Sequence, residues 1–179
     1  MQKNLQNIRV LTTASLLAAM SVVIGIFCKS FLNFGDGLFR ITFENMPIIL
    51  SGILYGPVVG AVVGLVSDLT SYLLSPQTYP LNLVVTVGAC VIGLVSGLVS
   101  KYLLKKTDLK QIITATFASH LIGSVIIKSI GLFAFYQWAV LLRIPTYLII
   151  ASLEAAIIHL LYRNNGFRRL VAKAGGESL

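Results

Sequence analysis

The chain has 179 residues, of which 56% are hydrophobic and 11% charged, and its mean hydropathy is +0.88. Soluble domains are roughly half apolar and about a quarter charged, so this composition excludes an ordinary soluble fold and predicts one membrane domain over residues 1–179. The net charge of +8 does not indicate nucleic-acid binding, because most Lys and Arg residues lie in short stretches between apolar runs, as in cytoplasmic loops of membrane proteins.

The first apolar run predicts a helix over residues 8–28. Lys3 and Arg9 flank its start as in a signal peptide, but no small-x-small cleavage site follows, and a bulky Phe27 precedes Cys28. We therefore interpret the run as a retained first span. Ala14 and Ala18 form a small-xxx-small pair, which lets another helix approach closely in lipid. The spacing leaves open whether that helix belongs to this chain or to a partner.

The second apolar run, residues 47–74, is interrupted by Gly56-Pro57 and carries a lone acid, Asp68. Pro57 disfavours a helical Gly56, so the pattern predicts a short helix over 45–55 and a separate helix over 57–74. Asn45 suits the amino-terminal cap of the short helix. That helix is too short to cross alone, since a straight span needs about 20 residues.

Three more apolar runs predict helices over 82–104, 111–135 and 139–162, which gives six helices in all. If all six cross, the amino terminus, the 101–110 loop and the carboxyl tail share one side of the membrane. The positive-inside rule favours this arrangement, with both termini cytoplasmic, because that side then holds Lys3, Arg9, Lys101, Lys105, Lys106, Lys110, Arg163, Arg168, Arg169 and Lys173.

The expected architecture is therefore an all-α membrane protein, a compact bundle of six transmembrane helices with a short second helix. Cys28 and Cys90 form neither a metal-ligand spacing nor a disulfide framework. Metal motifs, nucleophile elbows and phosphate loops are absent from the sequence. The sequence thus indicates no enzyme, no metal and no cofactor, and it offers no means of powering transport by nucleotide hydrolysis.

Candidate binding residues concentrate near the face opposite the termini. Ionisable residues at membrane depth are functional candidates because exposure to lipid is costly, and Lys128, Arg40 and Arg143 together suggest an outward-opening cation cluster. Aromatic residues accompany them, namely Phe34, Phe39, Tyr72, Tyr79, Tyr136, Trp138 and Tyr147. Each one also suits an interface anchor, but the combination favours a flat, anionic ligand.

Several motifs carry a resemblance to a known family: FRITFENMP at 39–47, GILYGP at 52–57, and the series Gly60, Gly64 and Asp68. Over about residues 9–169 the chain resembles the S components of energy-coupling factor (ECF) vitamin transporters. YPLN at 79–82, followed by Gly88, Gly93 and Gly97, resembles the folate-type (FolT) subfamily. The resemblance implies a six-helix substrate-binding subunit of the bacterial plasma membrane that docks onto a T component and two ATPases.

The resemblance also implies roles for individual residues. Ala14 and Ala18 match an alanine pair that faces the T component in this family. For folate, the expected ring-stacking residues are Phe34, Tyr79, Tyr136 and Trp138, with Tyr147 beside them. The expected carboxylate partners are Lys128, Arg143 and Arg40. Hydrogen bonds would come from Asn82 and Gln137, and the pterin amino edge would donate to Glu44 or Asp68.

Two alternatives stay open. The same scaffold could bind another vitamin such as pantothenate or riboflavin, because residues 77–82 depart from the Gly-Phe-Thr-rich loop of many relatives. In a different class, a self-sufficient ion-coupled carrier or channel would use Asp68, Lys128 and Glu154. Uptake into liposomes that lack any ATPase partner would favour the second alternative.

Overall fold

A computed structural model describes residues 8–34, 39–74, 81–103 and 109–167. The α-helices of this part of the chain are α1 (Ile8–Phe31), α2 (Asn45–Tyr55), α3 (Pro57–Leu74), α4 (Leu83–Leu98), α5 (Leu109–Ser119), α6 (Ser129–Tyr136) and α7 (Arg143–Arg163). A first π-helical segment, Val99–Leu103, extends α4, and a second, His120–Lys128, joins α5 to α6. A 3-10 segment, Gln137–Leu142, leads into α7.

Five helical runs are long and apolar enough to cross a membrane, while α2 has only 11 residues. The five runs are Ile8–Phe31, Pro57–Leu74, Leu83–Tyr102, Leu109–Phe133 and Ile144–Arg163. Because α5, the second π segment and α6 are continuous, they make up one span. This confirms the predicted all-helical membrane fold with a short second helix, although α1 continues to Phe31 rather than ending at residue 28.

A small β-hairpin, which the sequence did not predict, follows α1. Strand β1 (Asn33–Phe34) pairs antiparallel with β2 (Phe39–Arg40), with Asn33 opposite Arg40. Strands of two residues are too short to show an alternating pattern. We use "hairpin end" for the end of the bundle formed by this hairpin, the start of α4 and the turn at Gln137.

The turn between α2 and α3 lies where Gly56-Pro57 predicts it. Gly56 has a φ of 93°, which glycine adopts without a steric penalty, and its N–H donates to the Gly52 carbonyl at 2.9 Å. Pro57 then begins α3, where a missing N–H has no cost. The apolar run of residues 47–74 is therefore two helices packed side by side.

Close contacts between α3 and α4 make the centre of the bundle compact. A Cβ atom added to Gly60 would collide with the Gly93 carbonyl, and one added to Gly64 would collide with the Ala89 carbonyl. Small residues at these positions therefore let the two backbones touch. The helix α2 packs against α1, α3 and α4 and is buried along almost its whole length. The start of α2 consequently brings polar residues into the interior near the hairpin end.

Candidate ligand-binding site

Lys128 is the central residue of the candidate site. It is the last residue of the second π segment and is buried, and its Nζ donates to Asn45 Oδ1 at 3.2 Å. Glu44 Oε1 lies 3.8 Å from the same Nζ. Both partners stand at the start of α2. The ammonium therefore joins the span Leu109–Phe133 to the short helix α2 inside the bundle.

A small cavity of about 10 Å³ lies against this contact. Its lining comes from α1, α2, α3, α4 and the second π segment: Ser21, Glu44, Asn45, Ile48, Ser67, Asp68, Ser71, Ala89 and Lys128. A drug-sized ligand usually occupies a pocket of about 300–1,000 Å³, whereas this cavity has room for about one water molecule. The helices and loops around it must therefore move apart before it can accept such a ligand. Its polar lining is unusual for the inside of a membrane bundle and is suited to a polar ligand.

The Glu44 carboxylate occupies space beside α1. A Cβ atom added to Gly25 would lie 2.8 Å from Glu44 Oε2, so the missing side chain leaves room for the carboxylate. The backbone of Glu44 is held separately, because its carbonyl accepts from Ser21 Oγ at 2.6 Å. Nearby, Lys29 Nζ donates to Ser71 Oγ at 2.8 Å. The cavity thus has a second lysine close to it.

Asp68 and Asn82 fasten neighbouring helices. Thr86 Oγ1 donates to Asp68 Oδ2 at 2.7 Å, which connects α3 to α4. Asn82 caps α4 by accepting from the backbone N–H of Val84, and its Nδ2 donates to the Gly131 carbonyl at 2.6 Å. Asp68 also lines the cavity, whereas both ends of the Asn82 amide bind backbone groups. The Nδ2 group has a second N–H, so a hydrogen bond from Asn82 to a ligand stays a prediction.

The expected aromatic and arginine residues are distributed differently. Tyr147 is buried in α7, and Gln137 is exposed at a backbone φ of 48°. Trp138 is 74% exposed and contacts the Phe133 ring edge-to-face at 5.7 Å. Only backbone positions are described for Phe34, Arg40, Tyr136 and Arg143, and Tyr79 lies outside the described residues. The described cavity therefore brings together Lys128, Glu44 and Asp68 of the expected set.

Asn45 is a site residue that the sequence reasoning missed. The sequence predicts that it caps α2, but it is the first residue of that helix, and Glu44 occupies the capping position. Asn45 is only 1% exposed, and its side chain accepts from Lys128. The neighbouring Ser67 and Ser71 were also missed, although their i, i+4 spacing around Asp68 places them on one face of α3.

A buried contact between a histidine and a glutamate lies outside the cavity lining. His120 Nε2 is 2.7 Å from Glu154 Oε2, and His120 Nδ1 is 3.2 Å from Ser124 Oγ. Glu154 is fully buried, and its Oε1 has no hydrogen-bond partner among the described residues. The pair connects the second π segment to α7. The sequence analysis treated these two residues separately, because nothing in their spacing indicates that they meet.

The predicted docking residues Ala14 and Ala18 lie on the inner face of α1. Each is 7% exposed, and Ser67 Oγ donates to the Ala18 carbonyl at 3.4 Å. In the isolated chain the small-xxx-small pair therefore packs inside the bundle, and docking of a partner helix through Ala14 and Ala18 stays a prediction. The outer face of α1 instead exposes Ser15 and Ala19 at the same spacing.

Comparison with known proteins assigns the fold to a family. Residues 9–162 match the family described as "ECF transporter, substrate-specific component". The chain belongs to this family. The S component is thus a multi-pass membrane subunit of a transporter, not an enzyme, and its partners are a substrate and an ECF module. The predicted S-component identity is confirmed at this level.

A solved structure resembles this S component in fold. The chain is similar to the structure titled "Crystal structure of FolT bound with folic acid", with a TM-score of 0.67 and 20% sequence identity. The match covers 86% of this chain and 92% of that chain. At this identity the likeness shows the fold alone. No curated protein matches the S component.

Proposed function

We propose that this S component binds folate in the Lys128 cavity and passes it to a T component and two ATPases in a bacterial plasma membrane. The hairpin end faces outward in this proposal, and both termini are cytoplasmic. The observation that carries it is the buried Lys128 ammonium inside a polar cavity. The fold shared with a folate-bound FolT supports the choice of ligand.

The ammonium of Lys128 retains capacity for a ligand carboxylate. A lysine has three N–H donors, and among the described residues its Nζ donates one hydrogen bond, to Asn45 Oδ1 at 3.2 Å. Glu44, at 3.8 Å, is at ion-pair distance rather than at an optimal hydrogen-bonding distance. A glutamate carboxylate of folate can therefore take a strong, charge-assisted hydrogen bond from Lys128.

The remaining parts of folate need acceptors and ring faces. Asp68 lines the same cavity and can accept from the amino edge of the pterin, because a carboxylate has several lone pairs. Stacking on the pterin and benzoate rings is assigned to Phe34, Tyr79, Tyr136 and Trp138. In this proposal the hairpin segment moves to enlarge the cavity and then closes over the ligand.

Calorimetric titration of the purified S component tests the ligand. We expect heat and saturable one-to-one binding with folate, and neither with riboflavin or pantothenate at matched concentration. Binding of riboflavin or pantothenate without folate would overturn the folate assignment and favour the alternative vitamin. Mass spectrometry of any ligand that co-purifies with the protein provides an independent identification.

Docking to the T component is assigned to α1, with a change of face. Ala14 and Ala18 were the expected contacts, and they are buried, so Ala14→Trp would disturb the fold itself. The exposed pair Ser15 and Ala19 offers the close approach that a partner helix needs. In this proposal Ala14 and Ala18 contribute to docking indirectly, because their small side chains keep α1 close to α3.

Uptake measurements in cells that express the ECF module test this docking face. Ala19→Trp should abolish folate uptake and leave folate binding by the purified S component unchanged. Ile113→Trp is the matched control, because Ile113 is an exposed residue on α5 and its substitution should leave uptake intact. Normal uptake by the Ala19→Trp variant would contradict docking through this face.

A further inference from the structure

We propose that Glu44 is an internal counter-ion that occupies the anion position on Lys128 in the ligand-free protein and is displaced by a carboxylate of the substrate. The inference rests on the proposed function of the Lys128 cavity. It adds the sign of the effect that Glu44 has on ligand affinity, because a competing carboxylate opposes binding of an anion. The sequence alone predicts instead that Glu44 is one of the groups that hold the ligand.

The geometry of the contact indicates that Glu44 can be replaced. Its Oε1 lies 3.8 Å from Lys128 Nζ, while Asn45 Oδ1 is closer at 3.2 Å. The Glu44 side chain is 17% exposed and that of Lys128 is 8% exposed. Glu44 is therefore the more accessible member of the pair, and Asn45 can keep Lys128 in place when Glu44 leaves.

The backbone of Glu44 is fixed while its carboxylate is not required by the helix that follows. The Glu44 N–H donates to Thr42 Oγ1 at 3.3 Å, and its carbonyl accepts from Ser21 Oγ at 2.6 Å. Glu44 precedes α2 directly, but its side chain makes no capping hydrogen bond. Side-chain rotation can therefore move the carboxylate from Lys128 without unwinding α2.

Charge balance decides which ligand groups can make this exchange. A carboxylate that replaces Glu44 leaves Lys128 paired, so the buried ammonium keeps a counter-ion throughout. A neutral amide in the same place would leave the ammonium without one, and an uncompensated buried charge is strongly unfavourable. The exchange thus selects an anionic group over its neutral analogue at this position.

Two variants of Glu44 test the exchange by calorimetry with folate. Glu44→Gln removes the competing charge, and we expect folate to bind about tenfold more tightly than to the wild type, as when a binding-competent state rises from about a tenth of the population to nearly all of it. Glu44→Asp keeps the charge on a shorter side chain and should tighten binding less. This second variant also covers the case in which Glu44→Gln does not fold. Unchanged or weaker binding in the variants would overturn the exchange.

Asp68→Asn is the matched comparison, because it also removes one negative charge from the lining of the cavity. The Asp68 carboxylate accepts from the Thr86 hydroxyl at 2.7 Å rather than facing Lys128. Because Asp68 is also the proposed acceptor for the amino edge of the pterin, we expect this change to weaken folate binding rather than tighten it. If Asp68→Asn and Glu44→Gln tighten binding equally, the effect is general electrostatic attraction and the counter-ion role is wrong.

A second probe separates this inference from the folate assignment. Thermal unfolding in detergent is followed with sodium glutarate, with neutral glutaramide, and with sodium chloride at matched ionic strength. Glutarate should raise the unfolding temperature of Glu44→Gln, or of Glu44→Asp, more than that of the wild type, and glutaramide should not. If the wild type binds no folate but glutarate still stabilises the Glu44 variant more than the wild type, folate is rejected as the ligand and the exchange is supported. Equal shifts in variant and wild type would reject the exchange, whatever folate does.

Discussion

Two side-chain pairs at opposite ends of one π segment differ in distance and in burial. His120 and Glu154 are 2.7 Å apart, with side chains 3% and 0% exposed. Lys128 and Glu44 are 3.8 Å apart, with side chains 8% and 17% exposed. The first pair connects the second π segment to α7, and the second pair borders the cavity. The same short segment therefore contributes to a tight internal connection and to a looser contact.

The difference teaches which buried charges support the fold and which remain available for a ligand. A buried pair in close contact cannot be separated without a large penalty, since each polar group would then lie without a hydrogen-bond partner in the interior. A longer, partly exposed pair has a smaller barrier to separation. A π segment is frequently found at functional sites in helices, and here it contains both His120 and Lys128.

The largest expected effect comes from breaking the tight pair. Glu154→Ala should lower the free energy of unfolding by about 3–5 kcal/mol, because it removes one member of a buried pair. The measurement is equilibrium unfolding in mixed detergent micelles. Leu153→Ala is the neighbouring control at an exposed position of α7, and it should cost far less.

A double substitution separates the pairing from simple loss of packing. His120→Leu combined with Glu154→Leu removes both polar groups and should be less destabilising than the sum of the two single changes. If Glu154→Ala costs no more than Leu153→Ala, the pair does not stabilise the fold, and the contrast with Lys128 and Glu44 is lost.

The helices were predictable from the sequence because the length of an apolar run and a helix-breaking Gly-Pro pair are local signals. Gly56-Pro57 alone divides residues 47–74 into α2 and α3, as the structure shows. The hairpin was not predictable, since its two-residue strands carry no periodic pattern. Local signals therefore identify the spans but miss the short irregular structure between them.

The candidate site was predictable only in part. Lys128 and Asp68 were identified because ionisable residues at membrane depth are rare and costly, and Glu44 because a carboxylate suits the amino edge of a pterin. Their partners Asn45 and Thr86 were missed, because contacts between helices depend on rotation and register that no local pattern specifies. The contact of His120 with Glu154 was missed for the same reason, as the two residues lie 34 positions apart.

The second expected effect is on ligand affinity. Lys128→Met keeps an unbranched side chain but removes the charge, and it should weaken folate binding about 100-fold, equivalent to ~2.7 kcal/mol. Calorimetry measures the loss, and unfolding in detergent measures stability in the same sample. Lys128→Met should destabilise the protein less than Glu154→Ala. A variant that binds folate as the wild type does would remove Lys128 from the proposed site.

A smaller effect is expected when Lys128 is displaced rather than replaced. A Cβ atom added to Gly88 would lie 2.6 Å from Lys128 Cγ and 3.0 Å from the Gly123 carbonyl. Gly88→Ala should therefore shift the Lys128 stem and weaken folate binding about tenfold, the result of losing ~1.4 kcal/mol of a well-placed contact. The adjacent exposed Val87→Ala is the control. Equal affinity in the two variants would show that the position of the ammonium is not critical.

The smallest expected effect concerns the contact between Asp68 and Thr86. Thr86→Val removes the hydroxyl that donates to Asp68 at 2.7 Å while nearly keeping the shape of the side chain. We expect a loss of about 1 kcal/mol in the free energy of unfolding, the usual net contribution of one hydrogen bond, because Asp68 lines the cavity and is only partly buried. Thr86→Ser restores the donor and should recover most of the loss. A cost for Thr86→Val as large as that of Glu154→Ala would mean that the cavity contacts are as rigid as the His120–Glu154 pair, and the cavity would then lack the freedom to widen around a ligand.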